Sequence, residues 1–308
     1  MKALLHKHEF RAMASPCEVV IAGVDDATAR LLAERVNDEV VRLERKYSRY
    51  RDDSVVAAIN RSAGSEPVKI DTETRHLLDV ANRLQQVSGG LFDITAGVLR
   101  RVWRFTNPEV PTAEDVAALL PLIDWNGVEC HGDSVRLPTP GMELDFGGFG
   151  KEYAADRAAQ ILRQAGVVSG YVNLGGDVNV LGPKPSGEPW LIGIQHPRTA
   201  GLVATLPVTQ GGLATSGDYE RYFVRDGQRY CHILNPRTGM PVRHWQSISV
   251  LAPNALLAGG FCTIAMLLEQ EGLSFLRRST LPFLAIDHTG RHWQHDEVDD
   301  PIPLRNAS

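Results

Sequence analysis

The 308 residues include only four cysteines, Cys17, Cys130, Cys231 and Cys262, and no two of them form a CxxC pair. That spacing suits neither a zinc cage nor a disulfide framework. The thiols read instead as small buried residues of a reducing compartment, and a chain this long can bury a core large enough to fold without staples. Positive charge is not in excess. The net charge is −5, so no nucleic-acid footprint is expected, and no block of like charge suggests an interaction tail. No stretch approaches the ~20 apolar residues of a membrane span. The opening apolar run, Ala3–Leu5, is too short for the core of a signal peptide. A cytoplasmic protein with no membrane partner is therefore expected. Neither GxGxxG nor GxxxxGK[ST] occurs, which excludes a Rossmann fingerprint and a P-loop. No internal period of 20–50 residues points to a solenoid.

What is present is a helix-rich first half and a strand-rich second half. Leu32, Val36, Val40, Leu43 and Tyr47 form one stripe of a helix over 26–47. Leu77, Val80, Leu84 and Val87 predict a second helix over 72–88, which Gly89 and Gly90 end in the left-handed region. Thr112 is a candidate N-cap for a short third helix. Residues 143–146 read as a strand that enters the glycine-rich turn Gly147–Gly150. A helix over 151–165 follows, with Ala154, Ala158, Ile161 and Ala165 on one face and Gly166 as its stop. Strands are expected at 171–174, 178–181, 191–194, 202–208, 222–224 and 248–251. An apolar helix spans 255–268, and a turn at 287–290 joins two last strands. Helices first and strands later favour an α+β fold. No linker divides residues 1–308, which read as one domain. The proline-rich stretches Pro108–Pro111 and Pro183–Pro189 are its candidate seams.

Four segments are too rich in Gly, Asp, Asn and Thr for plain scaffolding. In the first, Gly90–Gly97, Asp93 could cap a helix. The second, Asp145–Asp156, runs from strand through glycines to a helix start. Such an arrangement aims backbone N–H groups at phosphate, and Lys151 could add charge. In the third, Asn173–Asp177, the double glycine suggests close approach by a ligand, or a bulge. The fourth is paired, Ala214–Tyr219 with His232–Gly239. Thr215, Ser216 and Thr238 offer hydroxyls, and Arg237 can fork onto phosphate. His232, at its ordinary pKa, titrates near neutrality and could move a proton.

Taken in order, these segments resemble the FAD:protein FMN transferases, the ApbE family. The likeness runs from about Met13 to Leu268, through eight blocks that include Tyr47–Ser54, Phe92–Thr95, Asp145–Asp156, Asn173–Asp177 and His232–Gly239. It implies a tunnelling-fold-like α+β arrangement of mixed sheets and helices with FAD in a cleft. It also implies transfer of FMN from FAD to a Thr or Ser hydroxyl of a target flavoprotein, with release of AMP. By position, Met13 and Tyr50 match flavin contacts. Trp103, Arg104 and Phe105 lie where an aromatic segment packs on FAD. Asp145 and Lys151 match FAD-binding positions, and Ile233 would line the same pocket. His232 and Lys151 would serve the chemistry. Magnesium would be held by the Gly148 carbonyl and Thr263.

Two positions depart from the family pattern. The aspartate expected four residues before Thr263 is Gly259, and the usual glycine after Lys151 is Glu152. Magnesium prefers carboxylate oxygen, so Gly259 removes an expected ligand. Glu152 and Asp177 are the candidate replacements. Without a replacement, the chain would bind FAD but not transfer FMN. A FAD pyrophosphatase, with water as the nucleophile, is the third reading.

Overall fold

The computed structural model describes residues 4–106 and 109–295. Its frame is an eight-stranded, wholly antiparallel sheet whose strands neighbour one another in chain order: Leu5–Ala12, Ser15–Ala22, Gly170–Leu174, Asp177–Gly182, Gly211–Gly217, Trp245–Ala252, Phe283–Asp287 and His292–Gln294. Side chains alternate across a strand, and here the alternation separates two cores. Val19, Ile21, Val172, Leu174, Ile248 and Ala285 face the main core. Val20, Val178, Val180, Leu213 and Leu284 face the opposite way, onto the hairpin Trp190–Gln195/Leu202–Val208. The main core is roofed by three helices, Asp26–Tyr47, Gly150–Gln164 and Ala255–Leu267, which pack on the sheet or on one another. The fold is α+β.

Caps place the helices where composition indicates. Asp25, Ser54, Asp71 and Asn254 each accept a backbone N–H in the first turn of the helix they precede, each such cap being worth about 1 kcal/mol. Thr112 forms a capping box with Asp115. Helix Thr72–Val87 ends in a Schellman pair: Gly89 N–H donates to the Gln86 carbonyl and Gly90 N–H to that of Gln85. Its buried face is Thr74, Leu77, Leu78, Ala81 and Leu84. Val87, expected on that face, is exposed. Ala165 is likewise exposed just past the end of helix Gly150–Gln164.

Three elements differ from expectation. Residues 143–146 form no strand. The Asn60 side chain holds both the N–H and the carbonyl of Leu144, and Asp145 N–H donates to the Ile94 carbonyl, so no ladder is needed. Gly175 and Gly176, with φ of 62° and 98°, form no bulge. They make the two-residue turn of a hairpin, a geometry that demands positive φ twice. The amino-terminal hairpin carried no clear mark in the sequence. Its turn is Met13–Ala14, with φ of 51° and 58° on residues that disfavour them. Of the seam at Pro108–Pro111, Pro108 lies outside the described residues. Among the described residues no helix is long and apolar enough to cross a membrane.

Candidate active site

A cleft of about 420 Å³ opens where the Met13–Ala14 turn, the Gly147–Gly148 turn, strand Gly211–Gly217 and the segment after Cys231 meet. Its walls include Met13, Asp145, Gly148, Lys151, His232, Ile233 and Thr263, drawn together from across the chain. Helix Gly150–Gln164 begins here. No side chain caps it, unlike the four helices capped by Asp25, Ser54, Asp71 and Asn254. Its first-turn amides therefore have no side-chain acceptor, which suits an anion. Asp156, at the far end of the same sequence block, has a different task. Its carboxylate accepts from the N–H groups of Ala255 and Leu256 and from Asn179, pinning the start of helix Ala255–Leu267.

Cations crowd this cleft. Lys151 Nζ lies 3.0 Å from Asp177 Oδ2. Arg100 Nε lies 2.9 Å from Asp145 Oδ2, and Arg49 approaches the same carboxylate at 3.3 Å. Burial pushes the Asp145 pKa up, but the two arginines outweigh it and hold the carboxyl below its ordinary value. Burial, and then the neighbouring Arg100, push Arg221 down. His232 records the sum: burial, Arg221, Arg100 and Lys151 push it down to about 3. It is therefore neutral at pH 7 and does not titrate near neutrality, contrary to its ordinary behaviour. Its Nδ1 is buried without a partner.

Two carboxylates sit on the cleft floor. Burial pushes Glu152 well above its ordinary value and raises Asp177 too, with Lys151 opposing both. Glu152 is 8% exposed and its Oε2 has no hydrogen-bond partner. Hydroxyls complete the wall: Ser216 Oγ pairs with Thr263 Oγ1 at 3.2 Å, and Thr215 Oγ1 with Ser249 Oγ at 2.7 Å. Among the described residues no three His, Cys, Asp or Glu side chains converge as a ready metal cage. The oxygen donors of the cleft nevertheless fit a hard divalent cation, and the orphaned Glu152 oxygen is a donor without a present use.

The same architecture recurs in proteins already known. The ApbE family model matches residues 13–285. The chain belongs to the ApbE family. A relative named FAD:protein FMN transferase from Klebsiella pneumoniae (strain 342) is 35% identical over 277 residues, covering 86% of this chain and 84% of the relative. One of the same name from Vibrio cholerae is 31% identical, covering 84% and 78%. The crystal structure of the ApbE protein from Thermotoga maritima superposes with a TM-score of 0.88 at 30% identity, covering 95% of this chain and 97% of that one. The apo flavinyl transferase ApbE of Pseudomonas stutzeri gives 0.87 at 28%, covering 96% of each.

Within this ApbE-family cleft, not every expected residue is present. Trp103 is 1% exposed, stacks on Tyr230 at 5.7 Å between ring centroids, and donates its indole N–H to the Gly239 carbonyl. No face of it is left for a flavin. Phe105 packs on Phe223 in the same cluster, and Arg104 points its guanidinium at the Arg101 carbonyl. None of the three lines the cleft. Tyr50 is 77% exposed and stands outside the lining, reached by Arg49 and Arg100. Arg237 donates to the Gly89 carbonyl, and Thr238 turns to the Met240 N–H, so neither faces the site. His232 falls just past strand Gln228–Cys231. Asp93 caps the 3₁₀ turn from Ile94 and also borders the cleft. Arg100 and Arg221 were missed. The only hint of them was position, the first shortly after Gly97 and the second directly after the Ala214–Tyr219 block. The cysteines are unpaired, and burial pushes Cys231 up to about 11 and Cys262 higher still. Both thiols are inert packing.

Proposed function

We propose that this protein transfers the FMN half of FAD to a threonine or serine hydroxyl of a target flavoprotein and releases AMP. The observation that carries the reading is the convergence of Arg100, Lys151 and Arg221 with an uncapped helix start on one cleft. A dinucleotide's diphosphate is the ligand such a site suits. Relatives that bear the name FAD:protein FMN transferase support it independently.

In the reaction, the acceptor hydroxyl oxygen forms a bond to the phosphorus of the FMN half. The bond from that phosphorus to the bridging oxygen breaks, and AMP leaves with that oxygen. His232 has a buried Nδ1 without a partner, and a bound diphosphate would offset the Arg221, Arg100 and Lys151 charges that depress its basicity, so that it can take the hydroxyl proton. Lys151 and the first-turn amides hold the diphosphate and spread its charge. Met13 and Ile233 give the isoalloxazine an apolar wall. The Gly148 carbonyl and Thr263 hydroxyl would hold magnesium. A bound divalent cation supplies Lewis-acid stabilisation of the charge that develops on the phosphoryl oxygens. The cytoplasmic location belongs to this reading, and cell fractionation checks it.

The decisive assay incubates the purified protein with FAD, magnesium and a flavin-acceptor domain, then seeks covalent flavin fluorescence on the denatured acceptor. Fluorescent acceptor is the expected result. Bound FAD with no covalent product would leave only a binder. Release of FMN and AMP without an acceptor would mean hydrolysis.

A further inference from the structure

Gly259 sits mid-helix, where glycine costs about 1 kcal/mol relative to alanine. The reason lies across the helix–helix contact. A Cβ at position 259 would stand 2.5 Å from Glu152 Oε1, 2.6 Å from its Cγ and 2.8 Å from its Cδ. The glutamate carboxyl fills the space in which any side chain at position 259 would begin. The two side chains cannot both keep these places: a side chain at position 259 requires the Glu152 carboxyl to swing away. Thr263, one turn beyond Gly259 on the same helix face, lines the cleft with Glu152 and Asp177. Glu152 is over nine-tenths buried, and its Oε2 meets no donor. A purely structural glutamate would satisfy that oxygen or be replaced by an apolar residue.

We propose that Glu152 is the carboxylate ligand of the divalent cation in this protein, supplied from helix Gly150–Gln164 into the space kept open by Gly259. The assignment rests on the transferase reading of the cleft and deepens it. The two departures, glutamate after Lys151 and glycine before Thr263, are one compensated exchange rather than one loss and one accident. The site keeps its hard-oxygen character, and the chain needs no ligand from elsewhere.

The test reads metal binding, not turnover. Mn²⁺ is titrated into the full chain with FAD and no acceptor, and free Mn²⁺ is followed by its EPR signal. Wild type binds one ion per chain. Glu152→Gln, nearly isosteric, weakens Mn²⁺ about tenfold or more. Gly259→Asp alone clashes with Glu152 and lowers Tm. The double variant E152G/G259D moves the carboxylate to the other helix and recovers both Tm and Mn²⁺ affinity to within about threefold of wild type. Such non-additivity is the mark of two residues sharing one site. Wild-type Mn²⁺ affinity in Glu152→Gln would overturn the assignment. So would a wild type that binds no Mn²⁺, or a folded double variant that does not regain the metal. The acceptor assay is scored separately: a protein that binds Mn²⁺ through Glu152 yet labels no acceptor sinks the transferase reading and leaves the ligand assignment standing.

Discussion

Lys151 Nζ lies 3.0 Å from Asp177 Oδ2, at the point where the uncapped helix start and the Gly175–Gly176 hairpin meet. The lysine pairs here with a buried carboxylate, and in the transferase reading it turns to the diphosphate of FAD. Lys151→Met should raise the Kd for FAD by about tenfold or more, since a charge-assisted contact to phosphate is lost. Flavin fluorescence quenching measures this. Unchanged FAD affinity would remove Lys151 from the binding site.

His232 gives a pH signature. Its pKa falls from an ordinary 6.5 to about 3 on folding. Between those values the folded chain binds fewer protons than the unfolded one. The stability tied to neutral His232 is thus whole above about pH 6.5 and is lost as pH falls toward 3. Denaturant titrations of wild type and His232→Asn should diverge on acidification, with the variant gaining on wild type by about 3 kcal/mol by pH 4. A constant difference from pH 8 to pH 4 would show that the imidazole is not held neutral.

The same substitution should slow FMN transfer by about 10²-fold or more while FAD affinity changes far less, because a proton acceptor acts on the reaction and not on ground-state binding. Single-turnover labelling of an acceptor separates the two. Equal loss of binding and rate would make His232 a wall of the pocket only.

Trp103 should behave as a core residue. Trp103→Ala removes the stack with Tyr230 and Phe223 and orphans the Gly239 carbonyl. It should cost about 3–5 kcal/mol. FAD affinity of the molecules that remain folded should stay near wild type. A large loss of flavin affinity at full stability would instead return Trp103 to the flavin site.

The Met13–Ala14 turn holds two non-glycine residues at positive φ on the rim of the cleft. Ala14→Gly relieves one of them and should raise stability by about 1 kcal/mol or less, because the unfolded chain also gains freedom. Urea melts test this, and a destabilised variant would show that the turn carries no strain.

Local signals were legible where the physics is local. The stripe Leu32, Val36, Val40 and Leu43 set the first helix, and the boundary residues Thr112, Gly89 and Gly166 acted where their chemistry indicated, because capping and left-handed φ depend on a few adjacent residues. The segment 143–146 misled because the backbone bonds it seemed to need come from Asn60, 84 residues away. Trp103 misled because an aromatic beside a motif reads alike whether it faces flavin or Tyr230.

The order of blocks along the chain carries the resemblance to its family, and the Gly147–Gly150 turn followed by Lys151 marks a candidate anion site, because both features depend on residues close in sequence. Tertiary structure alone decided that Arg100 and Arg221 join Lys151, that Trp103 leaves the cleft, and that Glu152 occupies the space of Gly259. Those facts depend on which surfaces the antiparallel sheet and its helices bring within a few ångströms, and spacing along a chain does not encode the distance between two helices.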